Sequence, residues 1–399
     1  MIYDFIIIGA GIAGLYSGYR IHKLNPNAKV LVLEREPTLG GRMGTVRFHG
    51  VDIAIGAGIG RKNKDKLLIE LLQELDIPFH EFVVGSQNAS TIHSPVNVRK
   101  IFRILKNEYE KMNKPLSSNS CSLQKGMTFR QFALPILGST VYKNFLICSG
   151  YTDYEKEDVF ETLYHYGMED NDNGWTGLSI PWNQLIENLA KHVRIKTSQN
   201  IVKIENHNDV FSIINDKDLT FRTHKIIIAS TIDTVRQLLP QNPIYKFIKG
   251  QPFLRIYGHF DKKSNMIMRE LVPISTMLPG ILHRIIPMDI EKGVYMIAYT
   301  DNKGAVDLKS RIENTPDNRN YLCRLLEKSL GIENSVLNLT SIRSFYWDIG
   351  THYFMPYSHD ILSSIQHPVL NKIYVVGEMA SHNQGWVEGA LESVNAILL

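Results

Sequence analysis

The sequence predicts an α/β fold in which a parallel-sheet domain is interleaved along the chain with a second, α+β domain. Three observations predict this. The chain opens with a strand-like apolar run that meets a glycine-rich turn, and similar apolar runs return at 30–33, 225–230 and 372–376, with mixed patterning between them. Uninterrupted apolar runs are typical of strands buried on both faces of a parallel sheet. A length of 399 residues suggests two domains.

The first strand and the turn after it predict a phosphate-binding βαβ unit. Residues 4–8 run into Gly9-Ala10-Gly11-Ile12-Ala13-Gly14, and a helix-like stretch follows. In such a unit the first glycine permits a tight turn, the second lets the backbone approach a pyrophosphate, and the third allows close helix–strand packing. The free N–H groups of the helix N-terminus then face the phosphate charge. The predicted contacts are Gly9, Gly11, Ile12, Ala13 and Gly14.

The second apolar run predicts the ribose contact. Strand 30–33 ends in Glu34 and Arg35. Glu34 follows Gly14 by about 20 residues, the spacing at which a carboxylate accepts hydrogen bonds from an adenosine ribose. A glycine-rich turn without a ligand would not require the strand, the helix and the acid to coincide. We therefore expect a dinucleotide site that includes Glu34 and Arg35.

A second glycine-rich loop indicates which dinucleotide binds. Residues 40–45 read GGRMGT; Gly41 exposes backbone N–H groups, and Arg42 adds a charged fork suited to phosphate. Glu34-Arg35 followed by GGRMGT resembles the flavin-containing amine oxidase family, which includes monoamine oxidases, polyamine oxidases and L-amino acid oxidases. The resemblance implies FAD, with Gly41 and Arg42 at the cofactor.

The C-terminal segment carries a second set of candidate flavin contacts. Val375-Val376-Gly377-Glu378 reads as a strand and turn, and apolar residues from Trp386 onward have helical spacing. A helix N-terminus aimed at the flavin would favour the negative charge that develops on reduction. The resemblance implies that a Gly-Glu pair contacts the cofactor and that a Gly-Trp pair flanks the flavin. The predicted contacts are Gly377, Glu378, Trp386, Val387 and Ala390.

An upstream segment, residues 347–356, resembles the family's tryptophan-to-aromatic loop. On that match Tyr353 would form an aromatic cage with Trp386, and two aromatic faces can desolvate an amine next to the oxidant. His352 falls where covalent monoamine oxidases attach the flavin to a cysteine. A structural role for this histidine is favoured, so we expect non-covalent FAD.

A third match is the small-residue run Gly56-Ala57-Gly58, followed by Arg61. Small residues would let the backbone approach the flavin ring, so Gly56, Ala57 and Gly58 are predicted cofactor contacts. In L-amino acid oxidases an arginine near this point binds the substrate carboxylate, and Arg61 is a candidate for that role. The alternative for Arg61 is a surface residue that begins a basic loop. Val202, in predicted strand 201–205, completes the cofactor set.

One departure from the family concerns a lysine. Many amine oxidases have a lysine that holds a water beneath flavin N5, and the stretch matched to it, 231–238, contains none. Arg236 and Gln237 are the residues expected nearest to that position. Imine hydrolysis or oxygen reactivity is therefore expected to differ.

Interleaved patterning predicts the domain bounds. The FAD-binding domain is expected to comprise 1–77, 195–243 and 345–399, and the substrate-binding domain 78–194 and 244–344. A net charge of +4 spread along the chain argues against nucleic-acid binding. No apolar run has the length of a membrane span, so no membrane anchor is expected. Three separated cysteines, Cys121, Cys148 and Cys323, imply neither a disulfide framework nor a metal site. A cytoplasmic protein is expected, of unknown oligomeric state.

The leading hypothesis is an FAD-dependent oxidoreductase that oxidises the C–N bond of an amine or amino acid. A hydride would pass to flavin N5, the imine would hydrolyse, and oxygen as acceptor would give peroxide. Tyr353, Trp386 and Arg61 are the candidate catalytic residues. One alternative is a desaturase or dehydrogenase of a larger apolar substrate, similar to protoporphyrinogen oxidases or carotenoid desaturases. The other is a flavin-binding protein without activity.

Overall fold

The computed structural model describes residues 1–113, 126–165, 174–357, 361–369 and 372–398. In these ranges the helices are α1 Ile12–Leu24, α2 Lys66–Glu74, α3 Val98–Asn113, α4 Phe129–Ser149, α5 Val159–His165, α6 Trp182–Ala190, α7 Ile232–Leu238, α8 Lys262–Leu271, α9 Asn302–Leu308, α10 Pro316–Leu330, α11 Leu362–Gln366 and α12 Val387–Leu398. The strands are β1 Ile2–Ile8, β2 Val30–Leu33, β3 Thr45–Phe48, β4 Val51–Ala54, β5 Gly60–Arg61, β6 His80–Val84, β7 Ser86–Asn88, β8 Trp175–Ser179, β9 Arg194–Lys196, β10 Ile201–His207, β11 Val210–Asn215, β12 Thr220–Ile228, β13 Ile248–Phe260, β14 Ser275–Met277, β15 Arg284–Asp289, β16 Val294–Asp301, β17 Leu339–Phe354 and β18 Ile373–Val375.

The first sheet is built on parallel strands. Its order runs β9-β2-β1-β12, with β18 pairing parallel to the end of β12 and the β10–β11 hairpin pairing with its beginning. Chain order reverses between β1 and β12, because β2 and β9 lie on one side of β1 and later strands on the other. Such a switch point leaves a crevice at the carboxyl ends of the strands, where α/β sheets bind ligands.

Burial on both faces explains the apolar run in β1. Ile7 packs with α1 and α12 on one face, whereas Ile6 and Ile8 pack with β12, β18 and α7 on the other. All three side chains are buried. A strand covered on both faces needs apolar residues at every position rather than at alternate ones.

The second sheet has the order β17-β13-β16-β15-β14-β7 and a separate core against α8, α9 and α10. It is antiparallel except for the β14–β7 pair. β13 and β17 pair from Ile248–Phe354 to Phe260–Leu339. Two small sheets, β3–β4 and β5–β8–β6, are formed by chain segments that follow β2 and precede β9.

Most elements expected from the sequence are confirmed. The predicted strand that contains Val202 is β10, and 225–228 and 373–375 are parallel strands. The helix expected near Trp386 is α12. β12 is mixed rather than wholly parallel, because its first half pairs antiparallel to β11.

The predicted domain bounds depart from the packing in two places. α6 was expected in the substrate domain, yet Leu185, Ile186 and Leu189 pack in the core that contains α1. β17 crosses the expected bound at residue 345 and stays paired with β13 on both sides of it. Elsewhere the expected division follows the two sheets and stays a prediction.

In the described ranges, no helix has both the length and the apolar character needed to cross a membrane. Cys148 and Cys323 are buried and unbridged, and Cys121 lies outside the described residues.

Candidate functional site

The turn after β1 is shaped by two glycines that contact each other. Gly9 has φ +106°, and a Cβ added there would lie 2.4 Å from the Ala229 carbonyl oxygen. A Cβ at Gly14 would lie 1.9 Å from the Gly9 carbonyl oxygen. Both spaces are filled by protein backbone, so these glycines serve the fold of the βαβ unit.

Gly11 and Gly377 lie at the same crevice but face open space. A Cβ at Gly11 would meet only the Gly40 carbonyl oxygen, at 4.0 Å, and a Cβ at Gly377 would meet no protein atom within 4 Å. No side chain caps the N-terminus of α1, and its first turn contains no acid, within the part of the chain described. This helix end can therefore bind a pyrophosphate through its N–H groups. These features fit an extended dinucleotide.

The second glycine-rich loop lies directly against the first. Gly40 N donates to Ala10 O at 2.9 Å, and Gly11 and Gly40 form a parallel bridge. A Cβ at Gly41 would lie 3.5 Å from Gly11 Cα. The two loops predicted from separate stretches of sequence therefore form one surface.

Arg42 connects this loop to the C-terminal segment. Its Nη1 donates to Glu378 Oε1 at 2.8 Å and to Gly350 O at 2.9 Å. Its other nitrogens make no hydrogen bond to the described residues, so the guanidinium retains donors for a phosphate. The predicted phosphate role of Arg42 stays a prediction.

Glu378 is buried and accepts hydrogen bonds from three directions: Arg42, the His352 ring and Gly385 N, the last at 3.0 Å. Burial acts to raise the pKa of Glu378, but His352, the Arg42 charge and the Gly385 N–H outweigh it and hold this pKa far below its usual value. Glu378 is thus a permanent anion at the crevice.

Hydrogen bonds hold the His352 ring from two sides. Its Nε2 lies 3.2 Å from Ile232 N and accepts that N–H. Its Nδ1 is hydrogen-bonded to Glu378. The His352 ring and Arg42 both lie at the Glu378 carboxylate and both favour its charged form. Both ring nitrogens are engaged, and neither is available to a flavin.

Glu34 is placed at the end of β2, as expected. Its carboxylate accepts Ala10 N at 2.6 Å and Glu36 N at 2.8 Å. Arg35 is exposed and pairs with Glu36, and Val202 is half-buried in β10. Their roles at a cofactor remain predictions.

The small-residue loop 54–58 is fixed by three aromatic donors. Tyr257 Oη donates to Ala54 O at 2.7 Å, Trp347 Nε1 to Ile55 O at 2.9 Å, and Trp182 Nε1 to Gly58 O at 3.1 Å. A Cβ at Gly56 would lie 2.0 Å from Arg42 O, and Ala57 N donates to that same oxygen at 2.9 Å. Three carbonyls of this loop thus accept hydrogen bonds from aromatic side chains of other elements, which fix its position.

A cavity of about 1090 Å³ opens beside this loop. Gly58, Arg61, Thr351, Gly385 and Trp386 line one part of its wall. The second sheet supplies the opposite part of the lining, through β13, β15 and β16. The cavity therefore lies between the crevice of the first sheet and the face of the second.

Trp386 and Arg61 share one carboxylate. Trp386 Nε1 donates to Asp65 Oδ2 at 2.8 Å, and Arg61 Nη2 lies 3.0 Å from Asp65 Oδ1. The guanidinium carbon lies 5.3 Å from the Trp386 ring centroid. Arg61 thus reaches the cavity with its charge already paired, and its role as a carboxylate ligand stays a prediction.

Glu388 lies close to this group, at the start of α2. It is buried and accepts Leu67 N at 2.8 Å and Leu68 N at 3.0 Å. Burial raises the pKa of Glu388 to about 7, against the lowering effect of those two N–H groups. α12 thereby caps α2 through a carboxyl that titrates near neutral pH.

Tyr353 is buried in β17 and does not line the cavity; Thr351, two residues earlier, does. Burial raises the pKa of Tyr353, and the nearby Glu157 adds to the effect. Trp386 instead has Trp182 as an aromatic neighbour, at 6.2 Å between ring centroids. The predicted cage of Tyr353 and Trp386 is not formed by contact and stays a prediction.

Arg236 and Gln237, the residues expected nearest to the family's lysine position, have backbone carbonyls as their hydrogen-bond acceptors, and their place relative to a flavin stays a prediction. Arg236 donates to the Tyr245 and Ile248 carbonyls, and Gln237 Nε2 lies 3.5 Å from Val202 O. Val387 and Ala390 are buried in the core shared with α1, as is Ala13, and Ile12 packs against it. These four residues support the crevice from behind.

Sequence reasoning missed the cations of the second sheet. Arg255 and Arg284 line the cavity, and each is 7% exposed. A signal was present: both interrupt apolar strand sequence, FLRIY and LHRII. A cation in such a run is expected to be buried, since strand neighbours on both sides are buried.

Comparison with known proteins identifies the first domain. The family model for the NAD(P)-binding Rossmann-like domain matches residues 7–75. An uncharacterized protein of Acanthamoeba polyphaga mimivirus is 47% identical over 55 residues. That match covers 14% of this chain and only 11% of the length of the relative.

Solved structures match over the whole chain. A double mutant of putrescine oxidase, made in a redesign of cofactor binding, has a TM-score of 0.74 at 14% identity and covers 100% of this chain and 98% of its own. A protein provisionally assigned as protoporphyrinogen oxidase, from Exiguobacterium sp. 255-15, has a TM-score of 0.73 at 15% identity, covering 99% and 98%. The predicted fold class is confirmed: the chain carries a Rossmann-like domain within the two-domain, amine-oxidase-like fold.

Proposed function

We propose that the protein is an FAD-dependent oxidoreductase that oxidises the C–N bond of an amine or amino acid. The observation that supports this proposal is that the crevice and the cavity adjoin the same loop. A crevice with open space at Gly11 and Gly377 leads to the fixed loop 54–58, and that loop borders a large cavity. An extended dinucleotide in the crevice would place its reactive ring between the loop and the cavity.

When bound there, FAD supplies a hydride acceptor, so that an amine, oxygen and water give a carbonyl compound, ammonia and hydrogen peroxide. The chain's own residues bind and orient. The N-terminus of α1, with Arg42, offers donors for the pyrophosphate. Trp386, oriented by Asp65, supplies an aromatic face to the cavity.

Non-covalent attachment is part of the proposal. His352 is the candidate residue for a covalent bond to the flavin, and it is buried with both ring nitrogens hydrogen-bonded. A bond to the flavin would have to break the contact with Ile232 or with Glu378. Acid precipitation should therefore release the flavin into the supernatant and leave a colourless pellet.

The first experiment is an absorbance spectrum of the purified protein, followed by peroxide release on a panel of amines and L-amino acids. A flavin spectrum with substrate-dependent peroxide supports the proposal. A colourless protein that does not take up FAD on reconstitution contradicts it.

The cavity lining favours a second candidate, a dehydrogenase or desaturase of a larger apolar substrate. Exposed apolar side chains, Phe82, Val83 and Ile274, line the cavity, and one structural neighbour carries a provisional assignment as a protoporphyrinogen oxidase. This candidate predicts anaerobic bleaching of the flavin by a polycyclic substrate and no bleaching by any amine.

A further inference from the structure

The second sheet brings two buried cations to the cavity without acidic partners. Arg255 in β13 and Arg284 in β15 are each 7% exposed. Among the described residues, their polar contacts are with phenol, thioether and carbonyl groups only. Within the described residues, neither of these two positive charges has an acidic partner.

Tyrosine rings hold these guanidinium groups in place. Arg255 lies directly opposite Tyr299 on the neighbouring strand, and its guanidinium carbon is 4.7 Å from that ring centroid. The Tyr299 ring meets the Tyr151 ring edge to face at 5.6 Å, and Arg284 lies 4.7 Å from the Tyr151 centroid. Stacking on a neutral ring orients a cation and leaves its charge in place.

The other cations near the ligand site are paired. Arg42 has Glu378 and Arg61 has Asp65. Asp153 also lines the cavity, yet neither Arg255 nor Arg284 forms an ion pair with it. An unpaired buried charge costs several kcal/mol, roughly, unless something compensates it. A ligand anion would compensate it, and perturbed charges of this kind cluster at functional sites.

The two arginines differ in what they can offer an anion. The Arg284 guanidinium donates hydrogen bonds to Met277 Sδ, Tyr151 Oη and Ser149 O. Arg255 has only phenol partners, Tyr299 Oη at 3.4 Å and the Tyr257 hydroxyl, and its Nη1 lies 3.3 Å from where a Cβ on Gly58 would be. Arg255 can therefore bind an anion directly beside loop 54–58, and Arg284 contributes through its charge.

Another part of the cavity wall is apolar. Phe82, Val83 and Ile274 line it and remain 39%, 74% and 38% exposed. Exposed apolar side chains grouped at a cavity are typical of a site for apolar ligand surface. The cavity thus combines a cationic wall with apolar residues open to solvent.

We propose that Arg255 binds the carboxylate of the substrate, that Arg284 reinforces this selection, and that Phe82, Val83 and Ile274 receive an apolar substrate body. The substrate class is an amphipathic carboxylate-bearing amine, and a diamine, which carries two positive charges, is disfavoured. This proposal rests on the proposed oxidation function, because it assigns the substrate of the same cavity.

Calorimetric titration with benzoate, benzamide and benzamidinium tests the charge preference. The three probes share a ring and differ in charge, and none has a C–H bond next to nitrogen, so binding is measured without turnover. Benzoate is expected to bind at least about tenfold more tightly than benzamide, since a buried charge-assisted hydrogen bond contributes that much or more. Benzamidinium is expected to bind weakest.

Variants locate the effect. Arg255→Met should weaken benzoate binding at least about tenfold, and Arg284→Met a few-fold. Arg130→Met, at a 60% exposed arginine, is the control and should leave binding unchanged. Arg255→Lys keeps the charge and should bind benzoate better than Arg255→Met does.

Equal affinity of wild-type protein for benzoate and benzamide would overturn the proposal, and this comparison needs no variant to fold. Undiminished benzoate binding by Arg255→Met would overturn the assignment as well. Failure of the oxidation function has a different signature: benzoate selectivity persists while no amine or amino acid reduces the flavin.

Discussion

The two ends of the ligand site use different parts of the chain. At the crevice of the first sheet, the proposed cofactor site is formed by backbone: glycines that leave open space and the N–H groups of one helix. In the cavity, the proposed substrate site is formed by side chains, with Arg255, Tyr299 and Arg284 on separate strands. The crevice suits a ligand that many proteins share, because backbone is common to all sequences. The cavity suits a ligand particular to this chain.

Gly14→Ala should have the largest effect and tests whether the crevice depends on backbone clearance. The added methyl would meet the Gly9 carbonyl oxygen at 1.9 Å, and backbone cannot move aside as a side chain can. We expect a loss of stability above about 3 kcal/mol, with loss of bound flavin. Thermal unfolding monitored by circular dichroism measures it.

Gly18→Ala is the matched control, one turn further along α1. Its methyl would meet the Val193 side chain at 3.0 Å, which can shift. An equally large loss in this control would mean that α1 tolerates no added methyl group and that the Gly9–Gly14 contact has no special role.

Gly11→Leu tests whether the space at Gly11 is required by the bound ligand rather than by the fold. The new side chain enters open space, so the fold should remain while the bound flavin falls at least about tenfold. Flavin absorbance per mole of protein, together with the melting temperature of the cofactor-free form, measures both. Retention of flavin by a folded variant would contradict the placement of the pyrophosphate at Gly11.

Tyr257→Phe tests whether cofactor binding at the crevice depends on a side chain of the second sheet. The change leaves the Ala54 carbonyl without its partner, which should cost about 1–2 kcal/mol and weaken flavin binding a few-fold. Tyr295→Phe is the control, because Tyr295 lies in the same sheet and contacts Asn265 instead. Unfolding midpoints should fall in both variants, but flavin affinity only in the first.

Glu388→Gln should have the smallest effect, visible only as pH dependence. The pKa of Glu388 is about 7 in the folded chain and about 4.3 when exposed, so the folded state binds more protons between these values. Stability from this group is therefore present at low pH and lost as pH rises towards 7. The melting temperature of the variant should change less with pH across that range than that of the wild type. An equal pH dependence in both proteins would contradict the assigned pKa.

Prediction of the βαβ geometry from sequence succeeded because its structural reason is local. Gly9, Gly11 and Gly14 act within one turn, and Glu34 lies at the end of the next strand, so short spacing contains the information. The cavity could not be assembled this way. Arg255 meets Tyr299 through the register of β13 and β16, and Arg284 through β15, and no short motif specifies that register.

Family resemblance predicted which segments meet at the crevice better than it predicted the contacts of single side chains. Glu378 and Arg42 were both expected at the crevice, yet their contact with each other was not foreseen. Tyr353 and Arg236 were predicted from short matching segments; Tyr353 is buried and does not line the cavity, Arg236 donates to two backbone carbonyls, and their predicted roles stay predictions. Side-chain direction depends on tertiary packing, which segment matching does not contain.

The pairing of β1 with β12 has a consequence for synthesis. Ile6, Ile7 and Ile8 pair on one edge with Leu31–Leu33, but on the other edge only with Ile226–Ile228, and β12 then pairs with β18 from the last part of the chain. During translation one edge of the N-terminal strand therefore stays unpaired until more than half of the polypeptide has left the ribosome. Long-range parallel pairing of this kind slows folding and exposes aggregation-prone surface. Recombinant yield is accordingly expected to rise with slower translation at low temperature and with co-expressed chaperones.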